Sequence, residues 1–144
     1  MRLKLTVEYD GSEFRGWARQ PTERTVEGEL RRALDELYDL DHLAVAGRTD
    51  TGVHALANVV SIGVDGGLPA ARAPAAVNAL LPADVAVVHA EPAADDFHAR
   101  HDARSRSYRY RVWRRRPRHR SRGRQPPRAH VPAKQACTPA GRAR

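Results

Sequence analysis

The sequence holds a single cysteine, Cys137, and a single methionine, Met1. One thiol excludes an internal disulfide and any cysteine-based zinc cluster, and it fits a reducing compartment. No apolar run is long enough to cross a bilayer, and Met1-Arg2-Leu3-Lys4-Leu5-Thr6 leads into alternation rather than a signal-peptide apolar stretch. A cytoplasmic protein without membrane contact is expected. Acidic residues are missing from the end of the chain: Arg114 to Arg144 contains ten Arg and one Lys with neither Asp nor Glu, a local charge of +11. Aromatic residues and apolar periodicity also stop at Trp113. Such a segment cannot bury enough apolar surface to offset its ordering entropy, so residues 114–144 are expected to be a disordered Arg/Pro-rich tail.

The patterned part is residues 1–113, long enough for one domain with a core. It carries 14 basic and 17 acidic residues, a formal −3, so the net +8 of the whole chain comes from the tail. The excess of basic charge suggests a polyanionic partner, and binding by the body of the protein would need a local basic patch.

Leu3, Leu5, Val7 and Tyr9 alternate with Lys4, Thr6 and Glu8, the pattern of a strand with one buried face. Asp10-Gly11-Ser12 ends it in a turn. Thr25 can cap a helix in which Val26, Leu30, Ala33, Leu34 and Leu37 form the apolar stripe, with Glu27 and Glu29 near the positive end of its dipole. Asp39 to His42 is expected to turn the chain into a strand at Leu43-Ala44-Val45-Ala46. A half-buried strand follows, in which Val60, Ile62 and Val64 recur at period two. Pro74 can open a short helix through Leu80, and Pro82 stops it. Strands are expected at Asp84 to Glu91 and Ser105 to Trp113. The resulting β-α-β-β-α-β-β order specifies an α+β domain, an antiparallel sheet with helices on one face.

Between two of these strands lies Gly47-Arg48-Thr49-Asp50-Thr51-Gly52-Val53-His54-Ala55, which sets one carboxylate among small and cationic residues. Glycines bracket Asp50 and permit positive φ or close backbone approach. Arg48 is near enough in sequence to hold Asp50 ionised, and an ionised carboxylate can serve as nucleophile or base. An Asp in such a loop is, by itself, an ordinary turn residue. Asp50 and His54, with His89, His98 and His101, also offer donor atoms for a metal, but Asp-x3-His is a weak spacing signal and no metal is expected.

The whole word GRTDTGVHA resembles the active-site signature of the tRNA pseudouridine synthase A family, with Thr51 standing where its members carry a small residue. Tyr9-Asp10-Gly11-Ser12-Glu13-Phe14-Arg15-Gly16-Trp17-Ala18-Arg19-Gln20 is similar to the family's opening motif, although Ala18 replaces a residue that is often polar; core packing is the expected role of Phe14 and Trp17. Asp95-Asp96-Phe97-His98-Ala99-Arg100 and Arg106-Ser107-Tyr108-Arg109-Tyr110 match later segments. This resemblance covers roughly residues 3–113. It implies a ferredoxin-like or RRM-like half of a synthase fold and isomerisation of uridine to pseudouridine in the tRNA anticodon stem-loop, without cofactor. It further implies that Asp50 is catalytic, that Tyr108 and Arg48 contact substrate, and that the completed fold is a homodimer.

Asp50 would attack the ribose C1′ or, in an alternative account, remove a sugar proton. A tyrosine such as Tyr108 offers a flat face to a flipped uracil and a hydroxyl for proton handling. Family members also have a second half, which supplies an arginine from a Met-Val-Arg segment. Nothing after Trp113 resembles it, so a truncated or frameshifted synthase, or a half-length relative, is expected. A different class of function is a non-catalytic RNA-binding fragment whose affinity comes from the basic tail.

Overall fold

The computed structural model describes residues 1–112 and the backbone of residues 134–139. Its elements, in chain order, are β1 (Arg2–Tyr9), α1 (Val26–Asp35), β2 (Asp39–Val45), β3 (His54–Asp65), α2 (Ala73–Asn78), β4 (Val85–Ala93), β5 (Ala103–Arg109) and β6 (Lys134–Pro139). The β4-β1-β3 ladder is antiparallel, with Leu5 opposite both Val60 and Ala90, and β2 pairs antiparallel with β3 through Val45 opposite Val60. This is the β4-β1-β3-β2 arrangement of a ferredoxin-like α+β domain.

Alternation in β1 produces the expected face. Leu3, Leu5 and Val7 are fully buried and pack with Val60, Ile62, Val85 and Val87 against Val26, Leu30, Ala33 and Leu34 of α1 and Val77 of α2. Thr25 caps α1, its hydroxyl accepting the Gly28 amide at 3.2 Å. The helix stops at Asp35, and Leu37 packs against the core from the turn that follows. Likewise α2 ends at Asn78, short of Leu80, where the Leu80 and Leu81 amides both close onto the Val77 carbonyl; the Asn78 side chain is bonded to both backbone groups of Val87 in β4.

Three strands differ in extent or burial from the sequence expectation. β2 begins at Asp39, within the stretch read as a turn, since Asp39 and Leu40 already pair with Asp65 and Val64. β3 is buried on both faces from Asn58 to Val64. Its second face is covered by the loop before β5, where Ala99 and Phe97 pack on Val59 and Ala46, and the Ser61 hydroxyl accepts the Ala99 amide at 3.0 Å. β5 runs from Ala103 to Arg109, so Tyr110 and Val112 lie beyond the strand and are exposed, while Trp113 lies outside the described residues. Most of the tail expected to be disordered also lies outside them. Within it, Lys134–Pro139 pairs parallel to the start of β3 and antiparallel to β5.

Candidate active site

Asp50 is exposed on the loop between β2 and β3, and the opening segment of the chain forms the seat of that loop. The Trp17 amide donates to the Thr49 carbonyl at 2.9 Å, and the Gly52 amide donates to the Phe14 carbonyl at 3.3 Å. The Val53 amide closes a tight turn onto the Asp50 carbonyl at 3.1 Å, helped by Gly52 at φ 79°. Gly16, at φ 88°, brings its backbone so close to Thr49 that a Cβ there would stand 2.9 Å from the Thr49 carbonyl oxygen. Phe14 and Trp17 are both 1% exposed, which agrees with a packing role for their side chains. Their backbones bond the loop directly.

A polar layer lies beneath these contacts. The Tyr9 hydroxyl is 2.7 Å from the Thr49 hydroxyl, and Asn58 of β3 donates from Nδ2 to the Gly47 carbonyl at 2.8 Å. At the far end, Nδ1 of His54 is 3.1 Å from the Gly11 amide and 3.0 Å from an Asp10 oxygen. One nitrogen cannot serve both at once: it accepts the amide when it carries no proton and donates to the carboxylate when it carries one. Hydrogen bonds from the hydroxyl and amide of Ser12 hold the Asp10 carboxyl below its usual range.

Beside the loop opens a cleft of about 530 Å³ lined by Trp17, His42, Gly47, Arg48, Arg106 and Tyr108, among others. Arg48 and Tyr108 thus share one cavity although 60 residues separate them in sequence. Tyr108 is 48% exposed, which leaves much of its ring open to a ligand. Arg106 is tied to the wall by Nε donating to the Ala46 carbonyl at 2.6 Å. Further along the wall, the rings of His42, His98 and His101 follow one another at 5.2 and 4.2 Å between centroids. Burial pushes the pKa values of His42 and His98 down. With Arg48, Arg100 and Arg106 on the lining and Glu27 the acid facing them, the cleft is a local basic patch on a body whose formal charge is negative.

The expected charge pair between Arg48 and Asp50 is not formed. Both side chains are exposed, and among the described residues neither makes an ion pair within 4.0 Å. Water screens two exposed charges, and holding both side chains in one geometry costs entropy, so such a pair gains little. Of the histidines weighed as metal ligands with Asp50, His54 bonds Gly11, His98 and His101 lie together on the cleft wall, and His89 is 3.6 Å from Glu91. Sequence reasoning passed over Asn58, Thr49 and the hydroxyl of Tyr9. The one available signal was an amide side chain inside the apolar run Ala57-Asn58-Val59-Val60, a position where a polar group needs a partner.

Comparison with known proteins covers this same region. A family model described as tRNA pseudouridine synthase matches residues 5–102. The tRNA pseudouridine synthase A of Thermus thermophilus is 51% identical over 112 residues, 77% of this chain and 44% of that protein. The protein of the same name from Bacillus subtilis is 49% identical over 116 residues, 78% of this chain and 47% of that protein. In Chromobacterium violaceum the corresponding figures are 48% over 112 residues, 76% and 43%. The chain therefore spans a little under half the length of these relatives. The matched span runs from within β1 to the loop that covers β3, taking in the Asp50 loop and its whole seat, and so the chain belongs to the tRNA pseudouridine synthase family.

Proposed function

We propose that the chain takes part in isomerising uridine to pseudouridine in tRNA, with the anticodon arm as substrate, Asp50 as the reacting carboxylate, and Tyr108 and Arg48 contacting the substrate. The observation that carries this reading is the Asp50 loop, bonded to the opening segment and bordering a basic cleft that presents a half-exposed tyrosine. Extruding the target uridine costs a few kcal/mol and requires a receiving surface, which the open ring of Tyr108 can supply. Basic groups along the cleft would bind phosphates in a salt-dependent way.

In the nucleophilic route a carboxylate oxygen of Asp50 bonds C1′ as the bond from C1′ to N1 breaks, and the electron pair leaves with uracil. The ribose carbon is electron-poor at that moment, as in retaining glycosidases, and a carboxylate suits it. Uracil then rotates, C5 bonds C1′ and the Asp50 oxygen is released. The C5 proton is lost and N1 gains one, so the isomerisation balances without a redox partner or cofactor. In the alternative route Asp50 first removes a sugar proton, and the same side chain is required. By the family resemblance we propose that the completed fold works as a homodimer in the cytoplasm; among the described residues no helix is long and apolar enough to cross a membrane.

Incubating the full chain with an unmodified tRNA transcript and analysing the nucleosides tests the reading. Pseudouridine should appear in the anticodon arm and vanish with Asp50→Asn; its formation by that variant would refute the role of Asp50. The local charge of +11 after Trp113 supports a second reading, a non-catalytic RNA-binding fragment. That reading is favoured if RNA affinity is lost on removing residues 114–144 yet survives both Asp50→Ala and Tyr108→Ala.

A further inference from the structure

We infer that Asn58, acting through Tyr9, Thr49 and Gly47, is a positioning residue for Asp50; the inference rests on the reading of Asp50 as the reacting carboxylate. Asn58 is fully buried in the middle of β3, Tyr9 is 4% exposed and Thr49 is 7% exposed. Three polar side chains in the interior cost free energy unless they bond one another, so their arrangement is constrained.

The direction of the bonds follows from elementary chemistry. A backbone carbonyl can only accept, so the Asn58 atom 2.8 Å from the Gly47 oxygen is the amide nitrogen. That nitrogen also lies 3.2 Å from the Tyr9 hydroxyl and can only donate to it. The Tyr9 hydroxyl accepts there and can donate its own proton to the Thr49 hydroxyl at 2.7 Å. One amide group thus holds the chain at Gly47 directly and at Thr49 through a phenol, on the segment that leads into Asp50. The Thr49 carbonyl is held from the other side by the Trp17 amide. With its side chain exposed and without an ion-pair partner among the described residues, Asp50 depends on its backbone for its place.

Two substitutions in the full chain test this. Tyr9→Phe removes one oxygen and keeps the ring that packs 5.8 Å from Trp17. Asn58→Asp keeps the volume but turns an acceptor toward the Gly47 carbonyl while the side chain is ionised; once protonated, it can donate again. Because small misplacements of reacting groups slow chemistry steeply, kcat for release of C5 tritium from labelled RNA should fall about tenfold or more in each variant. KM should stay near the wild-type value, since neither residue lines the cleft. Burial raises the pKa of a carboxyl group, so Asn58→Asp should recover relative to wild type as pH is lowered, whereas Tyr9→Phe should not.

Amide exchange reads the same device without turnover. In both variants the Gly52 and Val53 amides should exchange at least tenfold faster while the amides shared by β1 and β3 keep their protection. A wild-type chain that releases no tritium would defeat the proposed activity and leave the exchange result to decide the positioning role. Uniform acceleration across the sheet, or an unchanged loop in both variants, would overturn the inference.

Discussion

Gly11 lies against the backbone of Val53 so closely that a Cβ on it would stand 2.0 Å from the Val53 carbonyl oxygen. The contact joins the turn after β1 to the loop that carries Asp50, and no flexible side chain is there to yield. Gly11→Ala must therefore move backbone, at a cost of about 1–3 kcal/mol in line with overpacking elsewhere. Gly66 is a useful contrast: its φ is 72°, but nothing lies within 4 Å of a Cβ placed there. Gly66→Ala should cost roughly 1–2 kcal/mol from backbone conformation alone. Urea unfolding should show both losses, and only Gly11→Ala should also lower tritium release at a concentration of urea where both variants remain folded.

Tyr108 is half-exposed on the cleft and outside the buried core. Tyr108→Ala should change the unfolding free energy by no more than about 0.5 kcal/mol, the usual range for a surface position. Activity should nevertheless fall by at least tenfold. A large loss of stability, seen as a shifted urea midpoint, would reassign Tyr108 to packing.

Arg24 grips Asp84 with two hydrogen bonds, 2.7 and 2.9 Å, and its guanidinium lies 4.2 Å from the centre of the Phe14 ring. The pair joins the seat of the Asp50 loop to the start of β4. Arg24 holds the Asp84 carboxyl below its ordinary value of 3.8. The folded state consequently binds fewer protons than the unfolded chain in that range. Its contribution is fully present above the ordinary value and disappears as pH falls through the folded one. The stability difference between wild type and Asp84→Asn should be constant from pH 7 to about pH 5 and close at more acid pH.

His42 and His98 carry the same sign in a higher window. Burial is the first cause for each, reinforced by neighbouring positive charge from Arg2 and from other histidines, and both pKa values lie below 6.5. Stability from keeping them neutral is present above that value and is lost as pH falls through their folded values. Urea midpoints of wild type should drop between pH 7 and pH 5, and the drop should be smaller in His42→Gln/His98→Gln. An equal drop in the double variant would mean that other groups set the acid limb.

Much of this was legible in the sequence, and the exceptions share a cause. Leu3, Leu5 and Val7 declared the buried face of β1 because a strand exposes its pattern locally, and Thr25 declared the start of α1 because capping depends on the next three residues. The second buried face of β3 was not legible. Val59 and Ser61 are covered by residues 97–99, and no local period reports a cover that arrives from so far along the chain. For the same reason the pairing of Lys134–Pro139 with β3 and β5 could not be anticipated from an acid-free segment. In the candidate site the loop of Asp50 was readable as a motif, and Arg48 and Tyr108 do share the cleft. What holds the loop was not readable, since Tyr9, Thr49 and Asn58 come together only when β1 and β3 pair.

We propose Asp50 as the carboxylate on which the isomerisation turns. The most direct measurement follows tritium released from anticodon-arm RNA labelled at uracil C5, using the full chain and its Asp50→Asn variant at equal RNA occupancy. The wild-type chain should release tritium, and the variant at least a thousandfold less. Release at similar rates from both proteins, or none from the wild-type chain while the RNA remains bound, would contradict it.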